Sequence, residues 1–168
     1  MWNSIRIAGL IALGVAGFVQ AQQFRYVQSD GCAHVFLYGW NENRDEVIVV
    51  RADREQLKLR LGTTRLNLSD VPKGLEVYLD IYARSLPKVD YCTDVRMADD
   101  LRPAETLRAY SGQVEVTLGQ AGALKEKAPF MYEATVTLRD VSFKRPDGTV
   151  VSMKSAVILK AVVGYVHG

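Results

Sequence analysis

From residue 33 onward, apolar and polar residues alternate along much of the chain, which is the pattern of half-buried β-strands. Within residues 35–40, Phe36, Tyr38 and Trp40 fall on one face, with valine and leucine on the other. A polar cluster over residues 41–45 and a β-branched run over residues 47–50 follow. This pattern predicts a β-hairpin.

The same alternation predicts further strands. The alternating segments are residues 57–61, 75–82, 107–118, 132–138 and 151–163. Turn signals separate them, most strongly over residues 145–149, where Pro146 presets φ and Gly148 supplies a positive φ. The less regular residues 85–103 predict a short strand around Cys92 and a long loop.

A change of parity predicts a β-bulge near Arg139-Asp140. Residues 132–138 place their apolar side chains at even positions, whereas Val141 and Phe143 place them at odd positions. One extra residue in the strand would let both sets face the same core. We therefore expect Phe143 to point into the interior.

These segments predict an all-β fold. No stretch shows a helical period across three turns, and about seven to nine strands with turn signals between them fit an antiparallel β-sandwich with Greek-key-like connections. A β-barrel is the alternative, because periodicity does not separate the two architectures. No repeat or linker divides residues 22–168, so we predict one β-sandwich domain there.

The first 21 residues have the order of a secretory signal peptide. Arg6 supplies positive charge, residues 7–19 form an apolar stretch, and Val19-Gln20-Ala21 ends it with small residues at the positions that signal peptidase recognises. An uncleaved anchor is the alternative, although so short a stretch spans a bilayer poorly as a helix. We expect cleavage before Gln22, no transmembrane segment afterwards, and a periplasmic or secreted protein.

The two cysteines predict a disulfide. Cys32 and Cys92 are 60 positions apart, and an oxidising compartment favours their pairing. The chain-entropy contribution of so long a loop is about 4 kcal/mol. We predict that both residues are buried, with Cα atoms about 4.4–6.8 Å apart.

Charge argues against nucleic acid as a partner. Arg6 is the one charged side chain of residues 1–21, so the remainder holds 20 Lys and Arg against 19 Asp and Glu. This balance predicts no basic face for a phosphate backbone. The partners that remain are an envelope protein, a peptide or a glycan.

No catalytic or metal-binding set is evident. His34 could join Cys32 as a metal ligand only if the cysteine stayed reduced. Four acids crowd one loop but match no calcium-loop spacing, and arginines lie among them; these acids are Asp90, Asp94, Asp99 and Asp100. The patterns of nucleophile elbows and phosphate-binding loops do not occur. We therefore expect no catalytic residue, no metal and no cofactor.

Two surfaces are candidates for binding. Tyr78 and Tyr82 project from the polar face of their predicted strand, where exposed rings can stack on sugars or peptides. The alternative is that these rings only cover the sheet. The second candidate is the loop that carries Asp94, Asp99 and Asp100.

Three runs resemble exported bacterial β-proteins. The runs Gly31–Tyr38 (GCAHVFLY) and Glu46–Asp53 (EVIVVRAD) resemble the start of exported bacterial proteins of unassigned function. Tyr110–Thr117 (YSGQVEVT) and the terminal hairpin are similar to strands of secreted β-sandwich proteins. The resemblance implies a sandwich and an envelope location, and it carries no catalytic residue.

The sequence thus predicts a non-enzymatic envelope protein, a binding or accessory module. The alternative is a hydrolase that acts on an envelope or extracellular polymer through loop carboxylates between Asp94 and Glu105. A pocket with a carboxylate pair of raised pKa would favour the hydrolase. A flat sheet face with exposed aromatic rings would favour binding.

Overall fold

Strands dominate the computed structural model, which describes residues 20–22, 25–70, 72–92, 102–120, 131–153 and 155–164. In these residues nine strands pair antiparallel, and β1 pairs parallel with β9. Among the described residues, the helical element is one 3₁₀ turn, Leu68–Asp70. The strands are β1 (Gln20–Gln22), β2 (Tyr26–Cys32), β3 (Phe36–Asn41), β4 (Glu46–Ala52), β5 (Gly62–Asn67), β6 (Leu75–Ile81), β7 (Glu105–Gln120), β8 (Tyr132–Lys144), β9 (Val150–Met153) and β10 (Val157–Val163). The prediction of an all-β antiparallel fold is confirmed.

The strands form one hydrogen-bonded sheet that curls into a half-barrel. Its order is β1-β9-β8-β7-β6-β4-β3-β2, while β10 also pairs with β8 and β5 also pairs with β7. The two longest strands each serve two neighbours on one edge: β7 pairs with β6 and then β5, and β8 with β10 and then β9. The predicted sandwich is not confirmed, because β7 and β8 carry the pairing continuously from one half of the sheet to the other.

The predicted β-bulge in β8 is confirmed. The pairing of β8 with β7 shifts register here, and β8 uses one residue more than β7 over residues 139–142. Asp140 takes a positive φ of 52°, and Gly112 of β7 lies against this point with a φ of 126°. The extra residue lets Leu138 and Phe143 face the same interior, where both are buried despite their opposite parity.

β10 closes the half-barrel against β2 without a continuous ladder. The Ser29 hydroxyl donates to the carbonyl oxygen of Lys160 at 2.8 Å and accepts from the N–H of the same residue at 2.9 Å. Farther along, the Gly164 N–H donates to the carbonyl oxygen of Ala33 at 2.6 Å. Hydrogen bonds from Ser29 and Gly164 thus join β2 and β10 in place of a ladder, and the two strands also pack against each other.

Buried side chains form two groups on the two faces of the sheet, because successive residues of a strand point to opposite faces. The main core fills the inside of the curl, with Leu37, Ile48, Val116, Leu138 and Phe143 among its members. The second group, here named the outer cluster, consists of Phe36, Tyr38, Val47, Val49, Tyr82 and Leu86. The centres of β3 and β4 are buried on both faces, which explains why residues 36–40 and 47–50 contain no polar residue.

Residues 57–61 do not form the strand that their alternating leucines predict. The chain turns here instead, and Lys58 takes a positive φ of 53°. Leu59 still reaches the main core and is buried. The next strand, β5, begins at Gly62, which lies between the alternating segments 57–61 and 75–82.

Candidate functional site

An aromatic row runs along the outer face of β3. The ring centroids of Phe36 and Tyr38 lie 6.0 Å apart, and those of Tyr38 and Trp40 lie 5.9 Å apart. On β4, Val49 lies opposite Tyr38 and Val47 lies opposite Trp40, while Arg51 lies opposite Phe36. An apolar and aromatic surface of this kind requires a cover, since water would otherwise contact it.

The cover is residues 82–92, which follow β6 and are here named the strap. Backbone hydrogen bonds join its N-terminal half to the β3–β4 turn. The N–H of Tyr82 donates to the carbonyl oxygen of Asp45 at 2.8 Å, and the N–H of Leu86 donates to the carbonyl oxygen of Arg44 at 2.9 Å. The Arg44 guanidinium donates in turn to the carbonyl oxygen of Pro87 at 2.9 Å. The side chains of Tyr82 and Leu86 complete the outer cluster.

The predicted Cys32–Cys92 disulfide ends the strap. The Cα atoms are 5.9 Å apart, as predicted. The prediction that both cysteines are buried is wrong, because Cys32 is half-buried and Cys92 is exposed. The bridge lies at the rim of the outer cluster, where the strap meets the end of β2, and not in the main core. Residues 85–92 do not form the N-terminal part of the short strand predicted around Cys92, and the rest of that prediction lies outside the described residues.

A buried carboxyl group holds the C-terminal half of the strap. Asp80 of β6 is 5% exposed, and it accepts hydrogen bonds from the Tyr91 hydroxyl at 2.8 Å and from the Thr106 hydroxyl at 2.5 Å. The Tyr82 and Tyr91 hydroxyls are also hydrogen-bonded to each other. Because Tyr91 gives its hydrogen to Asp80, Tyr82 must be the donor of that pair. The strap is thus bonded to the sheet through a chain of hydroxyl groups.

Burial raises the pKa values of two phenols in this region, those of Tyr91 and Tyr38. It raises the pKa of Tyr91 well above its ordinary value, with further contributions from the hydrogen bond with Tyr82 and the negative charge of Asp80. Burial likewise raises the pKa of Tyr38 to about 12. A phenol whose pKa is raised on folding stabilises the fold fully below its ordinary pKa, about 10, and loses that contribution as the pH rises through the raised value. Strongly alkaline solution is therefore expected to loosen the strap.

Tyr91→Phe is expected to weaken the attachment of the strap by about 1–3 kcal/mol, because one oxygen of Asp80 loses its donor inside the protein. The measurement is hydrogen exchange over residues 88–92, the half of the strap that contains Tyr91, compared between variant and parent. Tyr110→Phe is the matched control, since Tyr110 is an exposed tyrosine on β7. Equal exchange in both variants would show that the hydroxyl chain does not hold the strap.

A cleft of about 680 Å³ opens beside the bridge. Both cysteines line it, together with Phe36 of β3, Arg51 of β4 and Tyr91 of the strap. The cleft joins an aromatic floor to a cationic rim and lies within the volume range of ligand sites. The structure therefore brings together residues from three separate parts of the chain.

Arg51 is the charged group of this cleft that is best placed for a ligand. Its guanidinium carbon lies 5.4 Å from the ring centroid of Phe36, a cation–π contact. Nη1 of Arg51 lies 3.7 Å from Oε2 of Glu76, and the other carboxylate oxygen of Glu76 lies 3.4 Å from Nη1 of Arg108. Two guanidinium groups share the Glu76 carboxylate, so Glu76 neutralises Arg51 only in part.

Asp53 also lines the cleft but is committed to its own turn. Its carboxylate accepts from the N–H groups of Glu55 and Gln56 and from the Gln56 side chain. The backbone hydrogen bond from Gln56 is the main reason that the pKa of Asp53 is lowered. These hydrogen bonds hold the Asp53 carboxylate in place, where its negative charge offsets part of the positive charge of Arg51. His34 also lines the cleft.

The two tyrosines predicted for binding, Tyr78 and Tyr82, do not line this cleft. Tyr78 is half-buried against the outer cluster, and burial raises its pKa. Tyr82 is 9% exposed, because the strap folds back over its ring, so it is not offered to solvent. Glu105 lies on β7 with its carboxylate 3.4 Å from Arg145. The remaining predicted residues, Asp94, Asp99 and Asp100, lie outside the described residues.

Arg51 and Tyr91 are not among the binding residues that the sequence predicts. One signal for Arg51 was present: an arginine directly follows the β-branched run of β4, on the parity of Val47 and Val49. Strict alternation places it on the face of the aromatic row. Nothing comparable marks Tyr91, whose position depends on the path of the strap.

A second concavity, about 490 Å³, lies over β5, β7 and β8. Its walls are polar, and the Arg65 guanidinium is 2.8 Å from the carboxylate of Glu115 across it. These two charges pair with each other, and no aromatic side chain lines the concavity. The cleft beside the bridge is the stronger candidate site.

Comparison with protein-family models, with curated proteins and with solved structures found no match to this chain. The resemblance to exported β-sandwich proteins therefore stays an expectation. In the part of the chain that the structure describes, no helix is long and apolar enough to cross a membrane. In that same part, no group of three or more His, Cys, Asp or Glu residues is arranged to hold a metal ion.

Proposed function

We propose that this chain is a non-enzymatic binding protein of an oxidising compartment, the periplasm or the cell exterior, and that the cleft beside the bridge is its ligand site. The disulfide supports the compartment, because such bridges persist where thiols are not kept reduced. The signal-like order of residues 1–21 supports export. The single observation that carries the binding function is the Arg51 guanidinium over the Phe36 ring at the edge of an open cleft.

The proposed ligand is a peptide segment that presents a carboxylate next to an apolar side chain. The Arg51 guanidinium, which shares the Glu76 carboxylate with Arg108, favours an anionic group, because a planar guanidinium binds carboxylate through two parallel hydrogen bonds. The rings of Phe36 and Tyr91 favour an apolar neighbour of that group. Such a ligand would draw Arg51 away from Glu76, which is a modest loss for an exposed pair.

The test uses two probes that differ only in charge, N-acetylphenylalanine and its amide. NMR titration is expected to shift the signals of Arg51, Phe36 and Tyr91 with the carboxylate probe and to show weaker binding of the amide. Arg51→Gln is expected to weaken binding of the carboxylate probe about ten-fold, which corresponds to about 1.4 kcal/mol. This loss is expected because the substitution removes the charge that selects the carboxylate.

Arg65→Gln is the matched control, because Arg65 is an exposed, ion-paired arginine in the other concavity. It is expected to leave binding unchanged. Equal affinity for the two probes, or equal losses in the two variants, would contradict the assignment of the ligand to this cleft.

The rival hydrolase has a direct test. Its carboxylates would come from residues between Asp94 and Glu105, and purified protein would show turnover on glycan, ester or peptide substrates. Turnover that is lost in Asp94→Ala, Asp99→Ala or Glu105→Ala would replace the binding proposal. We expect no turnover in this screen.

A further inference from the structure

The strap and the main core are separate bodies of buried side chains. None of the main-core residues belongs to the strap, and neither cysteine is among them. Cys32, Val89 and Tyr91 pack instead against the outer cluster. A change that releases the strap can therefore leave the inside of the half-barrel intact, since local openings follow such boundaries.

The two halves of the strap are held by different means. Backbone hydrogen bonds from Tyr82 and Leu86 tie the N-terminal half to the β3–β4 turn. Beyond Pro87, the contacts with the sheet include the packing of Val89 against the outer cluster, a hydrogen bond between the backbone of Tyr91 and the hydroxyl of Tyr38, and the hydroxyl of Tyr91. The ring of Tyr91 also lies 5.2 Å from that of Tyr38, and the bridge ends this half. The C-terminal half is therefore the part whose position depends most on the disulfide.

The bridge is also the accessible part of this assembly. Cys92 is exposed, whereas Cys32 is half-buried, and both line the open cleft. An incoming thiolate reaches an exposed disulfide readily, and exposed bridges are typically the labile ones. A bridge placed to staple the main core would be expected inside it.

We infer that the Cys32–Cys92 bridge is a redox latch on the ligand cleft. A dithiol reductant that opens the bridge releases residues 89–92 from the sheet, removes one wall of the cleft and uncovers the ring of Tyr38, while the main core stays folded. The inference rests on the proposed function for the identity of the ligand. The release of the strap is independent of any ligand.

The chemistry is a two-electron thiol–disulfide exchange. A thiolate of the dithiol attacks Sγ of Cys92 and forms a mixed disulfide, and Cys32 leaves as a thiolate that takes up a proton. The second thiol of the dithiol then attacks the mixed disulfide, and Cys92 leaves as a thiolate and is protonated in the same way. The protein ends with two thiols and the dithiol ends as a disulfide.

The test compares the oxidised chain with the chain treated with dithiothreitol and then alkylated. The chain has two cysteines, so the reagent acts on this bridge alone. Hydrogen exchange is expected to become at least about ten-fold faster in residues 89–92 of the strap and to change by less than about two-fold in β4 and β8. N-acetylphenylalanine is expected to bind the reduced chain about ten-fold more weakly, because the strap supplies Tyr91 to the cleft.

Unchanged exchange in the strap would overturn the latch, and so would faster exchange in all strands together, which would make the bridge a staple of the whole fold. The double variant Cys32→Ser/Cys92→Ser is expected to show the reduced pattern without any reagent. A double variant that does not fold would contradict the independence of the main core. If the probe does not bind the oxidised chain, the proposed function fails while the exchange result still decides the latch.

Discussion

Gly112→Ala is expected to lower the free energy of unfolding by about 3 kcal/mol. At a φ of 126°, a residue with a side chain is strained whatever the space around it. A Cβ at this position would also lie 2.7 Å from the Cα atom of Val141 and 3.0 Å from the carbonyl oxygen of Asp140. Both contacts are with backbone, so no side-chain rotation relieves them. Urea unfolding followed by circular dichroism measures the loss.

Two other glycines separate the causes. Gly148→Ala meets a positive φ of 87° but no atom within 4 Å, so it is expected to cost about 1 kcal/mol from the backbone alone. Gly119→Ala meets nothing nearer than 3.8 Å, and its expected change is within about 0.5 kcal/mol. If Gly112→Ala lowers the free energy of unfolding no more than Gly148→Ala does, then the close approach of β7 to the bulge of β8 is not what requires a glycine at position 112.

Phe143→Ala is expected to cost about 3–5 kcal/mol, the largest loss from a single truncation in the main core. Phe143 is fully buried just beyond the bulge of β8, and removal of its ring leaves a cavity that paired strands fill poorly. For a chain of this length the melting temperature is expected to fall by about 10 °C. Calorimetry with parallel urea unfolding is the measurement.

Leu86→Ala is the control for Phe143→Ala. Leu86 is also buried, but it belongs to the outer cluster and to the strap. Its truncation is expected to accelerate hydrogen exchange in the strap and to move the main unfolding transition much less than Phe143→Ala does. Equal shifts of that transition would show that the two groups of buried side chains unfold as one.

The sequence predicts those parts of the fold whose cause is local. The parity change between Leu138 and Val141 predicts the bulge, because only an extra residue brings both side chains to one face. The pairing of the two cysteines follows from their number and the expected compartment. The aromatic row of β3 likewise lies on one face, as simple alternation requires.

Other parts depend on contacts between distant residues, and local patterns do not reveal them. The leucines of residues 57–61 alternate like a strand, yet the chain turns there and presents Leu59 to the main core from a turn. The burial of Tyr82 depends on the strap, whose path is fixed by Asp80, by the β3–β4 turn and by the bridge. The candidate cleft was missed for the same reason, since its walls meet only after the strap has folded back.

The seam beside Ser29 has a consequence for how copies of this chain meet. A sheet that curls without closing has two outermost strands, and their unpaired N–H and C=O groups are templates for the strands of other molecules. Here β2 and β10 are turned against each other, and one hydroxyl both donates to and accepts from the backbone of Lys160, as a neighbouring strand would. The Ser29 hydroxyl therefore occupies backbone groups of β10 with which a strand of another molecule could pair, and it contributes to the resistance of this seam to edge-to-edge aggregation.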